Sequence, residues 1–304
     1  MIWFLIALVW IIVGALLLPF IRNARMANTA GAGWNASGAA LALFGAARQF
    51  GAAPFDRVYA ELPLGAVHLH MDALSAFFAM VVSLVSLLAA VYGAGYLRHY
   101  EGRRNLGACW SFYGLLVLGM LLVTVAWDGI FFLISWEILS LSSLFLVLFD
   151  GHIKSVRRAG WIYMAATHLG TGCLLAMFLL LGRGGNFSFN ELNTETVSAT
   201  LVFVLGLIGF GVKAGLVPLH VWLPEAHPAA PSHVSALMSG VMIKTGIYGI
   251  VRLLFFFRES IPPGWGLTLC IIGASTGILG VLFALAQHDL KGLLAYHSVE
   301  NIGI

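Results

Sequence analysis

The chain has 304 residues, of which 60% are hydrophobic and 10% charged, and a formal net charge of +3. Its mean hydropathy of +0.94 is more than a water-facing surface tolerates. The apolar residues come in runs of about 20, enough to cross a hydrocarbon core as helix. That pattern excludes a soluble two-domain protein, and with no Lys/Arg-rich run the chain offers nothing to nucleic acid.

Ten apolar segments are predicted, roughly 1–20, 31–50, 72–96, 106–126, 128–149, 158–182, 197–217, 231–257, 267–287 and 292–304. The fold class is therefore all-α, a polytopic membrane protein. The first segment, Met1 to Phe20, lacks a basic start and a small-residue cleavage site, so it reads as a retained helix rather than a signal peptide. The second segment is the weakest, being rich in Gly and Ala and closed by Arg48. In the connection that follows, Ala66-Val67-His68-Leu69-His70-Met71 alternates apolar and polar residues as a hairpin strand does. The tenth segment stops at Ile304 after about 13 residues, short of the roughly 20 a crossing needs. The chain is accordingly expected to be a piece of a longer protein. Cys109, Cys173 and Cys270 each sit inside an apolar segment without a C-x-x-C pair, so no iron–sulfur site, structural zinc or disulfide framework is expected.

Basic residues set the orientation. The odd-numbered loops carry Arg22, Arg25, Arg98, Arg103, Arg104, Lys154, Arg157, Arg158 and Lys291. The even-numbered loops and their flanks carry Arg48, Arg57, Arg183, Arg252 and Arg258. The excess places odd loops in the cytoplasm and the amino terminus outside. Trp127, Trp161 and Trp222, near segment ends, suit an interfacial aromatic belt.

The two remaining basic residues, Lys213 and Lys244, lie inside apolar segments, as does Glu137. A charge at bilayer centre costs about 2.5–3.5 kcal/mol even on the lenient insertion scale. The bland reading is a static salt bridge or snorkelling. The functional reading is acid–base: desolvation favours a neutral lysine and a nearby carboxylate favours the charged one. A carboxylate that moves relative to Lys213 would load and unload a proton.

The seventh segment is predicted to break at Pro218, with Gly211 and Gly215 upstream and Pro224, Pro228 and Pro231 downstream. Interrupted helices line ion pathways in transporters. Lys213 is expected just over one turn before the break; the plain alternative is a helix end and loop. His168, His220, His227, His233 and His297 lie in or beside membrane segments and suit proton relay near neutral pH. His168 is expected to be the most buried. Neither a metal site from His220 and His227 nor haem ligation by His220 and His233 is expected, since three prolines separate the latter pair.

The stretch from Lys213 to Ser232, continuing through Val234–Met238 and Ile243–Tyr248, resembles the core signature of the antiporter-like subunits of respiratory complex I. Trp136-Glu137 is similar to that family's helix-5 glutamate, and Met71–Phe78 matches as well. The same fold serves Mrp cation/proton antiporters and membrane-bound nickel–iron hydrogenases. Leu294–Ile304, with His297, and Ala166–Thr171, with His168, resemble the large membrane subunit of formate hydrogenlyase and hydrogenase-4 type complexes. Two positions depart from relatives: Thr171 where some carry an acid, and Met238 where some carry a histidine.

The resemblance implies a fold of about 14 helices with two inverted five-helix repeats. Residues 1–105 would be the N-terminal helices with an external hairpin loop, 106–257 the first repeat, and 258–304 the start of the second, truncated here. It implies a proton-translocating subunit in a prokaryotic inner (cell) membrane, partnered by other membrane subunits and peripheral redox subunits. Glu137, Lys213 and Lys244 would carry protons, with His168, His220, His227, His297 and Glu300 as further relay candidates. No cofactor is expected in this chain; nickel–iron, iron–sulfur or flavin centres would belong to partners. The rival expectations are an Mrp-type sodium/proton antiporter subunit and a structural membrane anchor.

Overall fold

The computed structural model describes residues 1–195, 197–258 and 261–304, which form twelve α-helices and one β-hairpin. The helices are α1 (Ile2–Leu17), α2 (Ala24–Gln49), α3 (Ala73–Tyr96), α4 (Leu106–Val125), α5 (Gly129–Val147) and α6 (Lys154–Leu181). They continue as α7 (Ala199–Ala214), α8 (Leu223–Ala229), α9 (Ser232–Leu237), α10 (Lys244–Phe256), α11 (Pro263–Leu285) and α12 (Leu290–Gly303). Several starts are set by side-chain caps. Asn23, Asp72, Asn105, Asp128, Ser198 and Asp289 each accept a backbone N–H of the first turn they precede.

Among the described residues eight helical stretches are long and apolar enough to cross a membrane; the stretch that contains the seventh predicted segment continues past 217 through α8 to Ala229, and the eighth comprises α9 and α10. The two predicted segments outside this set are α2 and α12. Helix α12 has 14 residues. Helix α2 begins at Ala24, well before the predicted start at 31, because Asn23 caps it through the Met26 N–H. Its polarity is internal. Asn28 Nδ2 donates to the Ala94 carbonyl at 3.0 Å and its Oδ1 accepts from Trp110 Nε1 at 3.1 Å, while Asn35 Nδ2 donates to the Trp110 carbonyl at 3.2 Å. These polar groups are satisfied against α3 and α4, so hydropathy underrates the helix.

The predicted strand is β2 (Gly65–Met71), antiparallel to β1 (Phe55–Leu62), in register from Phe55↔Met71 to Glu61↔Ala66 with a bulge between Val58 and Ala60. The hairpin sits on the α4–α5 connection, where the Trp127 N–H donates to the His68 carbonyl at 2.9 Å.

One residue of the charge tally is misplaced by the sequence. Arg252 is not at a loop flank but inside α10, 4% exposed and paired with Asp72. The orientation asymmetry therefore rests on nine basic residues against four.

Small residues let the helices touch. A Cβ on Gly246 of α10 would lie 2.6 Å from the Phe210 carbonyl oxygen and 2.7 Å from the Ala214 nitrogen of α7. Both neighbours are backbone and cannot swing away. Gly246→Val is expected to destabilise the protein by about 1–3 kcal/mol through overpacking. The check is its thermal unfolding in detergent beside the parent.

Candidate functional site

Helices α5, α6 and α7 bring together the first two predicted charges. Trp136, Ser140 and Ser143 recur at helical spacing on α5, and all three are buried. Glu137, next to Trp136, is rotated toward α6. Its Oε1 accepts from Thr171 Oγ1 at 2.5 Å, and its Oε2 lies 3.9 Å from His168 Nε2. The His168 Nδ1 is 3.0 Å from the Met164 carbonyl. A carbonyl only accepts, so Nδ1 carries the hydrogen and Nε2 is left facing the carboxylate. The expectation that His168 would be the most buried of the candidate histidines is wrong; His227 and His233 are. The His168 side chain is 45% exposed, because positions 168, 169, 172 and 175 form the outer stripe of α6.

Lys213 ends α7 and is 2% exposed. Its Nζ donates to Ser140 Oγ at 2.9 Å and to the Tyr163 hydroxyl at 3.3 Å. It also lies 5.6 Å from the Trp136 ring centre and 5.7 Å from that of Tyr163, within cation–π range. Ser143 hydrogen-bonds the Tyr163 hydroxyl from the far side. Among the described residues no ion pair within 4.0 Å joins Lys213 to Glu137. The ammonium is thus solvated by neutral hydroxyls and ring faces, and the carboxylate acts on it through space. Sequence reasoning missed Ser140, Ser143 and Tyr163, since hydroxyls inside an apolar helix leave no mark on hydropathy. The available signal was the run of serines one turn after Glu137.

The seventh segment does break, but earlier than Pro218. Gly215 adopts a left-handed φ of 81°, and the Leu216 N–H reaches back to the Gly211 carbonyl at 3.0 Å while the Gly215 N–H reaches Val212 at 3.2 Å. This is a Schellman cap, which glycine permits at no steric cost. Lys213 therefore precedes the break by two residues rather than by more than a turn. The chain resumes at Leu219 and runs into α8. Trp222 does not belong to an aromatic belt. It is fully buried, and its Nε1 donates to the Val212 carbonyl at 2.7 Å, satisfying a group at the end of α7. Across the break, the Val217 N–H donates to Thr276 Oγ1 of α11 at 3.1 Å.

Lys244 opens α10, directly after a π-helical turn at Met238–Met242. Its Nζ donates to the Ser239 carbonyl at 2.7 Å, and Ser239 Oγ lies 2.6 Å from Ser298 Oγ of α12. Such turns are frequent at functional positions because they open the backbone ladder. No hydrogen bond links Lys213 to Lys244 among the described residues.

The remaining candidates separate. His227 is buried, with Nδ1 3.2 Å from Ser235 Oγ. His220 is half-buried beside the Phe283 and Tyr296 rings. His297 and Glu300 pair with each other at 2.5 Å, with His297 exposed. His233 is buried against the rings of Tyr96, Trp110 and Tyr113. Among the described residues, His227 Nε2, His220 Nδ1 and both His233 nitrogens have no hydrogen-bond partner.

Residues 126–304 match the family described as NADH:quinone oxidoreductase/Mrp antiporter, TM, and residues 66–105 match NADH-Ubiquinone oxidoreductase (complex I), chain 5 N-terminus. The chain is 42% identical to hydrogenase-4 component B of Escherichia coli (strain K12) over 259 residues, covering 83% of this chain and 37% of that protein. It is 32% identical to formate hydrogenlyase subunit 3 of the same organism over 251 residues, covering 81% and 39%. It thus spans under two fifths of the length of these curated relatives. The Mrp complex from Dietzia sp. contains a chain that superposes with a TM-score of 0.84 at 26% identity, covering 99% of this chain and 33% of that one.

Proposed function

The chain belongs to the NADH:quinone oxidoreductase/Mrp antiporter transmembrane family, and on that premise we propose that it is a proton-translocating membrane subunit of a formate hydrogenlyase, hydrogenase-4 or complex I-like assembly. It is a multi-pass membrane protein whose relatives are subunits of multi-subunit membrane complexes. We place it in a prokaryotic inner membrane with the amino terminus outside. Residues 1–105 support the first repeat, 106–257, and 258–304 open the second. Redox centres belong to partner subunits.

The observation that carries this reading is Lys213: a lysine 2% exposed, at the end of a broken helix, held by hydroxyls instead of a carboxylate. A static salt bridge would place the acid against the ammonium. Here Glu137 stands off, bound by Thr171, and acts on the lysine's charge through space. When the carboxylate approaches, the charged lysine is favoured; when it withdraws, the proton is released. Ser140 gives its hydrogen to the Trp136 carbonyl and, like Tyr163, accepts from Lys213; a neutral amine still has hydrogens to donate, so either state keeps these acceptors. Lys244 takes the proton onward toward the second repeat. The test is proton translocation by vesicles holding the full complex, parent against Lys213→Ala, with electron transfer measured in parallel. Unchanged translocation overturns the reading.

The likeness to an Mrp complex supports a second reading, sodium/proton exchange. Exchange that requires sodium, without any redox partner, would replace the first reading with this one. Thr171→Val checks the role of the hydroxyl on Glu137. Losing one charge-assisted hydrogen bond, about 1.5–3 kcal/mol, is expected to slow translocation roughly tenfold or more while the protein remains folded.

A further inference from the structure

Among the described residues helix α12 makes two polar ties into the first repeat, and one of them reaches the residue that seats Lys244. The Ser298 hydroxyl donates to the Leu294 carbonyl of its own helix at 2.9 Å. A hydroxyl has one proton to give. Toward Ser239, 2.6 Å away, Ser298 is therefore the acceptor and Ser239 donates. The carbonyl of that same Ser239 takes the Lys244 ammonium at 2.7 Å. Ser239 lies in the π-helical turn Met238–Met242 and is partly exposed, as Lys244 is, while Ser298 is 4% exposed, so the two contacts meet at one residue of the turn. The second tie is Lys291, whose Nζ donates to the carbonyls of Pro228 at 3.2 Å and Ala230 at 2.9 Å, at the end of α8. It fixes α12 against the broken helix, beside His227, which lies in electrostatic reach of both Lys244 and Lys291.

The geometry points to Ser298 as a positioning residue for Lys244. By holding the Ser239 hydroxyl, it fixes the π-turn whose carbonyl seats the ammonium. Helix α12 is thereby the element through which the second repeat controls the last proton carrier of the first. This rests on the proton-carrying role of Lys244 proposed above. If α12 draws away, the Ser239 hydroxyl loses its acceptor and turns to the carbonyl four residues earlier in its own helix. The seat of Lys244 then loosens.

The experiment uses the full complex in vesicles and reads two quantities. One is the pH profile of Lys244 acetylation by acetic anhydride, followed by mass spectrometry. The other is proton translocation. Ser298→Ala is expected to shift the acetylation profile and to lower translocation about fivefold, the equivalent of one hydrogen bond. Ser239→Ala is expected to do the same, and the double variant no more than either alone, because both remove one contact. Ser298→Thr, which keeps the hydroxyl, is expected to restore both readouts. A purely structural serine would leave the acetylation profile unmoved. An unchanged profile in Ser298→Ala, with translocation lost in Lys244→Ala, overturns the positioning role alone. Normal translocation in Lys244→Ala overturns the carrier role and this inference with it.

Discussion

Lys213→Ala is expected to reduce proton translocation by the full complex on the order of 10²-fold, the scale on which removing a positioned acid–base group acts. The fold should survive the change. Among the described residues the hydrogen-bond partners of the buried lysine are the Ser140 and Tyr163 hydroxyls, so its removal strands no opposite charge. Tyr163 keeps its bond to Ser143. Electron transfer in partner subunits should continue, unless the two processes are strictly coupled. Lys213→Arg is the sharper variant. Guanidinium stays charged at any working pH, so an arginine could occupy the site but not release a proton. Equal loss in the alanine and arginine variants identifies release, rather than charge, as the required property. Full translocation in Lys213→Arg would show that the site needs only a fixed positive charge. The measurement is proton uptake by vesicles, normalised to redox turnover.

Arg252→Ala is expected to be the most destabilising single change, by about 3–5 kcal/mol. The Arg252 guanidinium donates to both Asp72 oxygens, at 2.7 and 2.6 Å, and to Ser75 Oγ at 2.8 Å and the Tyr248 hydroxyl at 2.9 Å. Tyr248 in turn donates to the Thr124 carbonyl at 2.7 Å. One side chain on α10 thus fastens α3 and α4, and its loss leaves Asp72 without its counter-charge. Thermal unfolding in detergent should show the drop, and Arg252→Met combined with Asp72→Asn should recover most of it. The pair also predicts an acid limb. Burial alone would raise the Asp72 carboxyl, but hydrogen bonds from Arg252 and Ser75 hold it down at about 2 from an ordinary 3.8. A depressed carboxylate contributes its stability above the unfolded value and loses it as pH falls through the folded one. Stability should therefore decline from about pH 4 to about pH 2, and this component of the decline should be missing in Arg252→Ala.

The parts of the fold legible in the sequence were those with a strong hydropathy signal. Eight crossing stretches match predicted segments, and the alternating run before α3 is half of a hairpin. Helix α2 was underrated because Asn28 and Asn35 look polar in isolation yet bond inside the bundle. Arg252 was assigned to a flank because only its partner Asp72, 180 positions earlier in the chain, shows that it belongs to the core. Within the site, Glu137, Lys213 and Lys244 announced themselves because a charge in an apolar run is conspicuous. Ser140, Tyr163, Thr171 and Ser298 did not, since neutral hydroxyls cost little in such a run. Their importance depends on which helix each one faces.

By itself the sequence determined that this is a polytopic helical protein with Glu137, Lys213 and Lys244 inside its apolar segments and a helix interrupted by glycine and proline. Those follow from local chemistry: apolar length, the cost of a buried charge, and backbone limits. The tertiary structure alone decided that Lys213 is held by hydroxyls while Glu137 stands off. It alone decided that the break begins at Gly215, that Trp222 closes the freed end of α7, and that α12 reaches Lys244 through two serines. The seat of Lys213 and the reach of α12 are contacts between helices far apart in the chain, and helix packing, set by small residues such as Gly246, determines which faces meet.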